Sequence, residues 1–342
     1  MKRLKKAVFR AFSLTLILVM TLILGACGNK EGGTTETVSE KKTEKAKEEV
    51  TLRIGSLKGP TTMGLVNLMK WSEKGETEGK YSFTMETQAD VIAAGVISGD
   101  LDIALVPANL AAVLYKKTEG KVKVLYINTM GVLECVTGDE SIRSIKDLAG
   151  KTVLSTGQGT TPEYVLKYLL KGYGVTDCNI EFKSEATEIA SILKEDPKKI
   201  AILPQPFATV AQVQNDAVKK AFSLTDAWDQ LDVDSELITG VTIVRSEILE
   251  KYPDAVDQFM KEAVKSAGRG KTDEDATAEL IAEYGIIEKA PIAKKALPEC
   301  NIVTISGSEM KRIVSGYLQV LFDQDPKSVG GAMPQEDFYF SN

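Results

Sequence analysis

Two short loops carry the residue types and spacing that best suit contact with a small polar molecule. Residues 59–64 read Gly-Pro-Thr-Thr-Met-Gly, and residues 157–164 read Gly-Gln-Gly-Thr-Thr-Pro-Glu-Tyr. In each loop, glycine permits close backbone approach, and two hydroxyls follow where a helix is predicted to begin. The free N–H groups and dipole of a helix N-terminus favour an oxygen atom or an anion. Either loop alone also fits an ordinary capped turn, whereas the two facing each other favour ligand contact.

The second loop does not match the known phosphate-binding glycine motifs. It lacks the Lys-Ser/Thr pair that follows the last glycine of a P-loop, and Pro162 stands where a dinucleotide fingerprint has its third glycine. Thr161 is predicted as the N-cap of the helix that follows, with Pro162 at its first position and Glu163 in its first turn. Magnesium-assisted phosphate binding is therefore not supported.

Other candidate ligand contacts lie where predicted strands end, because ligands of open α/β sheets bind outside the carboxyl ends of strands. The predicted ligand-binding residues are Lys58, Thr61, Thr62, Gln88, Pro107, Asn109, Asn128, Gln158, Thr160, Thr161, Gln205 and Phe207. A cationic ligand would favour Asp or Glu, which these loops almost lack. The set therefore predicts an anionic or neutral polar ligand, although Lys58 also fits a solvated turn and Phe207 an apolar helix cap.

The chain contains no histidine, which argues against most catalytic and metal sites. Its absence removes the Ser–His and Cys–His nucleophile pairs, the usual general base and most zinc and iron sites. No pair of cysteines has the spacing of metal ligands. We therefore expect neither enzymatic activity, nor a bound metal, nor a cofactor.

The N-terminus has the pattern of an export signal. Five basic residues precede the apolar run 12–23, and Leu24-Gly25-Ala26-Cys27 follows. This arrangement resembles a bacterial lipobox, in which the signal 1–26 is removed and Cys27 is lipidated. The apolar run is shorter than the ~20 residues of a spanning helix, the alternative reading. The polar segment 27–50 is predicted to be a disordered tether.

Net charge and cysteine count limit the remaining possibilities. Loss of the five basic residues of the signal changes the formal net charge from −6 to −11, which disfavours nucleic-acid binding. With Cys27 lipidated, Cys135, Cys178 and Cys300 remain, and an odd number cannot be fully paired. Buried free thiols are favoured, while one Cys178–Cys300 or Cys135–Cys178 bridge stays open.

From residue 51 onward, strands alternate with helices in two similar series. The first includes the strands 52–56, 81–86 and 103–106, and the second the strands 151–155, 180–183 and 200–203. Alternation of this kind predicts mainly parallel sheets flanked by helices. We expect an α/β protein of two lobes, with the first formed by 51–135 plus 241–342 and the second by 136–240.

Several segments together resemble one bacterial family. The most telling are residues 98–112 (SGDLDIALVPANLAA), with the junction Gly99, Asp102, Ile103 and Ala104, and residues 144–153 (SIKDLAGKTV). With the lipobox, these are similar to the solute-binding lipoproteins of ABC transporters, of the nitrate, sulfonate, taurine and thiamine-pyrimidine type. The resemblance covers almost all of 51–342 and implies a two-lobed periplasmic-binding-protein fold of class II.

The resemblance also implies a role and partners. A monomer on the extracytoplasmic face of the cell membrane, held by its lipid anchor, would close on a small solute and deliver it to an ABC permease driven by an ATPase. Gly131, Gly138 and Gly240 are candidate hinge residues. The alternatives are a sensor or interaction lipoprotein, and an enzyme on the same fold. Sulfonates, nitrate-like anions, pyrimidine precursors and aromatic compounds all stay open as ligands.

Overall fold

The computed structural model describes residues 50–231 and 233–341. The predicted signal 1–26, the predicted lipidation site Cys27 and the predicted tether up to residue 49 lie outside these described residues. Within them, the strands are β1 Thr51–Leu57, β2 Lys80–Glu86, β3 Ile103–Pro107, β4 Val122–Met130, β5 Leu133–Thr137, β6 Thr152–Ser155, β7 Asn179–Phe182, β8 Ile200–Pro204, β9 Lys219–Ser223, β10 Ile238–Arg245 and β11 Ile302–Ile305.

Helices connect these strands and form the C-terminal part of the chain. They are α1 Pro60–Met63, α2 Val66–Glu73, α3 Ala89–Ser98, α4 Ala108–Lys117, α5 Thr161–Gly172, α6 Ala186–Glu195, α7 Phe207–Gln214, α8 Leu224–Asp229, α9 Ser246–Lys251, α10 Pro253–Thr272, α11 Glu274–Glu283, α12 Ala290–Ala296 and α13 Gly307–Gln324. Four short 3₁₀ turns supplement them: Ile145–Leu148, Leu297–Cys300, Pro326–Val329 and Glu336–Phe338.

The first sheet has the strand order β11-β4-β10-β3-β1-β2. Strands β1 to β4 run in one direction, because β1 pairs in parallel with β2 and β3, and β10 is antiparallel to both β3 and β4. Both faces of this sheet are covered. Ile103 and Leu105 pack on the α2 and α10 side, while Ala104 and Val106 pack on the α3, α4 and α13 side. A strand buried on both faces has the uninterrupted apolar sequence of β3.

The second sheet has the order β7-β6-β8-β5-β9, and only β5 runs against the other four strands. Helices α5 and α8 cover one face through Leu166 and Trp228, which pack with Cys135. Helices α6 and α7 cover the other through Ile189 and Ala208. Both sheets are therefore mixed but mainly unidirectional, and the α/β fold of two lobes expected from the sequence is confirmed.

The chain passes between the two sheets twice. It leaves the first sheet after Met130 and enters the second at Leu133, and it returns at Ile238. Both changes of sheet lie a few residues before the predicted lobe boundaries at 135 and 240. We call the first sheet with its helices the first lobe, and the second sheet with its helices the second lobe. Helices α12 and α13 of the first lobe contact α7 and α5 of the second, respectively.

No helix in the described ranges is both long and apolar enough to cross a membrane. The same ranges contain no cluster of three or more Cys, Asp or Glu side chains arranged to hold a metal ion.

Candidate functional site

The two lobes meet where loops at the carboxyl ends of their strands face each other. We call this interface the seam. In the first lobe, Gly59 follows β1 and Asn109 follows β3, while in the second Gly159 follows β6 and Phe207 follows β8. A Cβ placed on Gly59 would lie 3.8 Å from Phe207 Cε2, and Asn109 Nδ2 donates a hydrogen bond of 3.2 Å to Gly159 O. Loops that follow four strands therefore meet at the place where ligands of α/β sheets bind.

The first-lobe loop is shaped by its own hydroxyls. The hydroxyl of Thr61 donates to Leu57 O at 3.0 Å, and that of Thr62 donates to the same oxygen at 2.5 Å and to Ser56 Oγ at 2.7 Å. Gly59 has a φ of +146°, a conformation that favours glycine. The hydroxyl of Thr62 is thus engaged within its own lobe, and the turn after β1 is fixed from inside.

The N-cap of the helix after the second-lobe loop lies one residue earlier than predicted. Thr160 rather than Thr161 is the N-cap of α5, and its hydroxyl donates to Gly157 O at 2.7 Å. Either threonine could cap this helix, because Pro162 then occupies its first or second position and proline is tolerated in the first turn. Glu163 folds back so that its carboxylate accepts from Gly159 N at 2.6 Å. This carboxylate therefore already occupies one of the N–H groups of the loop that could bind a ligand.

The paired loops converge on one strand, β10. From the second lobe, the hydroxyl of Thr161 donates to Thr239 O at 3.4 Å. From the first lobe, Thr61 lies beside Gly240, where an added Cβ would be 2.8 Å from Thr61 Cγ2 and 2.5 Å from Asn128 Oδ1. Only glycine fits this crowded position. The strand that returns the chain to the first lobe is thus contacted by both glycine–threonine loops.

Asn128 belongs to a buried polar group on β4 and β10. It donates to Thr242 Oγ1 at 3.1 Å and accepts from Thr129 Oγ1 at 2.8 Å. A small cavity of about 10 Å³ lies beside Asn128 and Thr61, between β4, β11 and α10. Tyr126 also lines this cavity, and its burial raises its pKa to about 12. These residues are uncharged at neutral pH.

Asn109 links the lobes from the N-terminal end of α4. Besides its bond to Gly159 O, its amide nitrogen donates to Ser328 O at 3.1 Å. The side chain is 1% exposed, and its Oδ1 atom has no hydrogen-bond partner among the described residues. Asn109 is the predicted contact that most directly bridges the seam.

The remaining predicted contacts differ in their surroundings. Gln205 Oε1 accepts from Thr209 N at 3.2 Å and from Thr209 Oγ1 at 2.9 Å, so this side chain supports the start of α7. Phe207 is buried in an apolar cluster with Met63 and Val66 of the first lobe. Pro107 is buried opposite Gly240 in the β3–β10 pairing. Lys58 is half-buried, and Gln88 and Gln158 are exposed.

A group of charged residues connects the two lobes near the start of β5. Lys220 Nζ lies 3.2 Å from Glu134 Oε1 and 3.8 Å from Glu299 Oε2 of the first lobe. Burial raises the pKa of Glu134 to about 7, against the opposing effect of Lys220. The sequence did not indicate Thr239 on β10 or Tyr317 on α13, whose hydroxyls are buried without a hydrogen-bond partner among the described residues, because both elements have the pattern of core segments.

The cysteines of the described chain are free. Cys135 and Cys300 are buried, and Cys178 is half-buried. Burial raises the pKa of all three thiols above their usual value, which disfavours the reactive thiolate. Neither disulfide left open by the sequence is formed.

A family model described as NMT1/THI5 like matches residues 96–269. No curated protein matches this sequence. Solved structures do. An ABC transporter protein from Parabacteroides distasonis is 22% identical, with a TM-score of 0.71 over 85% of this chain and 99% of that one. The periplasmic aliphatic sulphonate-binding protein SsuA from Escherichia coli is 16% identical, with a TM-score of 0.66 over 85% and 96%. The ligand-binding component of an ABC-type import system from Staphylococcus aureus is 14% identical, with a TM-score of 0.67 over 86% and 97%.

Proposed function

Because this chain belongs to the NMT1/THI5-like family and has the periplasmic-binding-protein fold, we propose that it is the solute-binding lipoprotein of an ABC importer. It captures a small polar or anionic organic solute between its lobes and releases it to the permease. The ATPase of the same transporter drives uptake.

One observation carries the proposal: loops from both lobes meet at the carboxyl ends of their strands and contact the same strand, β10. Thr61 and Asn109 come from the first lobe, and Gly159, Thr161 and Phe207 from the second. A solute held by these groups would interact with both lobes at once. Its binding energy would then stabilise the closed form relative to the open one.

The proposed location is the outer face of the cell membrane. Cys27 would carry the lipid, and residues 27–50 would tether the lobes to it. Replacing Cys27 by Ser should abolish incorporation of labelled palmitate and release the protein from the membrane fraction. A variant that stays lipidated or membrane-bound would contradict this part of the proposal.

We infer binding rather than catalysis. The sequence has no histidine, and the seam hydroxyls of Thr61 and Thr161 donate to backbone carbonyls rather than to a general base. A sensor lipoprotein that uses the same seam is the alternative. Transport is favoured if deletion of the gene abolishes uptake of the bound solute.

The test begins with a thermal-shift screen over small anions, sulfonates, vitamins and heterocycles, since a ligand of the folded state raises Tm by mass action. X-ray scattering with the best compound should then show a smaller radius of gyration. An unchanged radius at saturation would contradict lobe closure.

A substitution in the seam tests the location of the site. Thr161→Val should weaken binding of that compound by about fivefold to tenfold, the effect of losing one neutral hydrogen bond (~1 kcal/mol). Thr187→Val, at an exposed position on α6 of the same lobe, is the matched control and should bind normally. Unchanged affinity in Thr161→Val would move the site elsewhere.

A further inference from the structure

We propose that Asn109 selects the ligand by its amide oxygen, and that the ligand presents a neutral edge with an N–H or O–H donor beside an acceptor. This inference rests on the proposed function, whose solute class it narrows. The proposal excludes fully deprotonated anions as the preferred solute, because they carry hydrogen-bond acceptors only.

The orientation of the Asn109 amide is fixed by its neighbours. Both partners of Nδ2, Gly159 O at 3.2 Å and Ser328 O at 3.1 Å, are carbonyl oxygens, so the nitrogen must face them. The oxygen Oδ1 is then buried with no donor among the described residues. A buried acceptor without a donor is costly, and native structures rarely keep one without a reason.

Opening of the lobes changes which hydrogen-bonding groups of the Asn109 amide are free. Gly159 lies in the second lobe and Ser328 in the first, together with Asn109 itself. When the lobes part, the bond to Gly159 O breaks and the bond to Ser328 O remains. One N–H and Oδ1 are then available on the same planar group. A ligand edge that carries a donor and an acceptor side by side matches both.

Two further buried hydroxyls near the start of α5 support a neutral ligand. Thr239 Oγ1 and Tyr317 OH are both buried and have no hydrogen-bond partner among the residues described. Both are near Thr161, whose hydroxyl donates to the backbone oxygen of Thr239 and interacts with the Tyr317 side chain. Hydroxyls both donate and accept. The carboxylate of the adjoining loop, Glu163, is already held by Gly159 N and Lys167.

Isosteric pairs of neutral and anionic probes test the inference. Nicotinamide is compared with nicotinate, and ethanesulfonamide with ethanesulfonate, by thermal shift and calorimetry on the mature protein. The neutral member should bind at least about tenfold more tightly than its acid, because only the neutral member can donate to Asn109 Oδ1.

Two asparagine variants test whether Asn109 causes the preference for the neutral probe. Asn109→Ser should reduce the ratio of the two affinities to within about threefold. Asn67→Ser is the control, because Asn67 is also buried and donates to Ser266 O and Thr277 Oγ1, away from the seam. It should retain the wild-type ratio. The ratio is measured within each variant, so a loss of folded protein does not alter it.

The outcomes separate this inference from the proposed function. Equal or tighter binding of the acids by the wild-type protein would overturn the neutral edge and leave solute capture standing. A preference that survives in Asn109→Ser would overturn the role of Asn109. Failure of all four probes would count against the inference, and against solute capture only if the broad screen also found no ligand.

Discussion

At the scale of single residues, the motif within residues 99–104, which supported the family resemblance, has a structural role. Asp102 is 3% exposed and accepts from the backbone N–H and the guanidinium of Arg53. Gly99 ends α3 with a φ of +83°, and its carbonyl accepts from Arg245. The motif therefore secures the passage from α3 into β3. Its residues thereby support the strand that leads to Asn109.

Asp102→Asn should destabilise the protein by about 2 kcal/mol, since it removes the charge of a buried ion pair and leaves Arg53 with a weaker partner. Urea unfolding measures the loss. Asp100→Asn, two residues earlier and exposed, should change stability by less than about 0.5 kcal/mol. Equal effects of the two substitutions would show that the buried pair contributes nothing.

At Gly240, the surrounding atoms leave no room for a side chain larger than that of glycine. A Cβ there would lie 2.5 Å from Asn128 Oδ1, so Gly240→Ala should cost about 1–3 kcal/mol through overpacking. Gly268, within α10, has open space around it, and Gly268→Ala should stabilise the helix by about 0.5–1 kcal/mol. Thermal unfolding of both variants gives the comparison, and a harmless Gly240→Ala would contradict the described packing.

At the scale of elements, ion pairs connect β5, β9 and the turn Leu297–Cys300. Glu134 lies on β5, Lys220 on β9 and Glu299 in the turn, which belongs to the other lobe. Asp226, at the start of α8, adds a further negative charge that favours the protonated form of Glu134. Protonation of one strand residue thus alters the charge at a contact between lobes.

The pH dependence of stability follows from the raised pKa of Glu134. In the folded state this pKa is about 7, against a usual value of 4.5, so the folded state binds the proton more tightly. Its contribution to stability is complete below about pH 4.5 and is lost as the pH rises through 7, with a slope of at most ~1.4 kcal/mol per pH unit. Glu134→Gln should remove this slope between pH 4.5 and 7 in urea unfolding.

Glu299→Gln is the control for that experiment. It removes a negative charge near Lys220 but leaves the buried carboxyl in place, so the wild-type slope should largely persist. If Glu134→Gln and the wild-type protein show parallel curves, the carboxyl of Glu134 titrates normally.

Much of the element pattern was predictable, and the failures have physical causes. Helix α5 was predictable, because its apolar residues recur at helical spacing. The strand β9, Lys219–Ser223, was missed, since an edge strand with two lysines has no apolar run. Asn109 was predicted from its place after a strand. Tyr317 was not, because a tyrosine on the apolar face of a long helix gives no sign that its hydroxyl is unpaired.

At the scale of the whole molecule, the two lobes share their apolar cores. One cluster joins Tyr317 and Leu318 of α13 to Leu169 and Trp228 of the second lobe, and another joins Met63 to Phe207. Separation of the lobes at the seam would expose part of these clusters. The closed arrangement is therefore stabilised by apolar burial as well as by the Asn109–Gly159 bond.

Phe207→Ala should shift the ligand-free protein toward the open form. Loss of a buried phenyl ring costs about 3–5 kcal/mol, and the part lost at the seam weakens only the closed form. A bias of ~1.4 kcal/mol would change the ratio of the two forms tenfold. X-ray scattering should show a larger radius of gyration than for wild type, whereas Phe222→Ala, on the edge strand β9, should leave it unchanged. No increase would mean that Phe207 does not hold the lobes together.

The position of β10 between β3 and β4 also limits the order in which the two sheets can be completed during synthesis. All strands of the second sheet lie within residues 133–223, whereas the centre of the first sheet is empty until residues 238–245 arrive. When the chain is synthesised from its N-terminus, all strands of the second sheet are therefore present while β3 and β4 still lack the strand that pairs with both. The second sheet can thus be completed before the first, although the first begins earlier in the sequence.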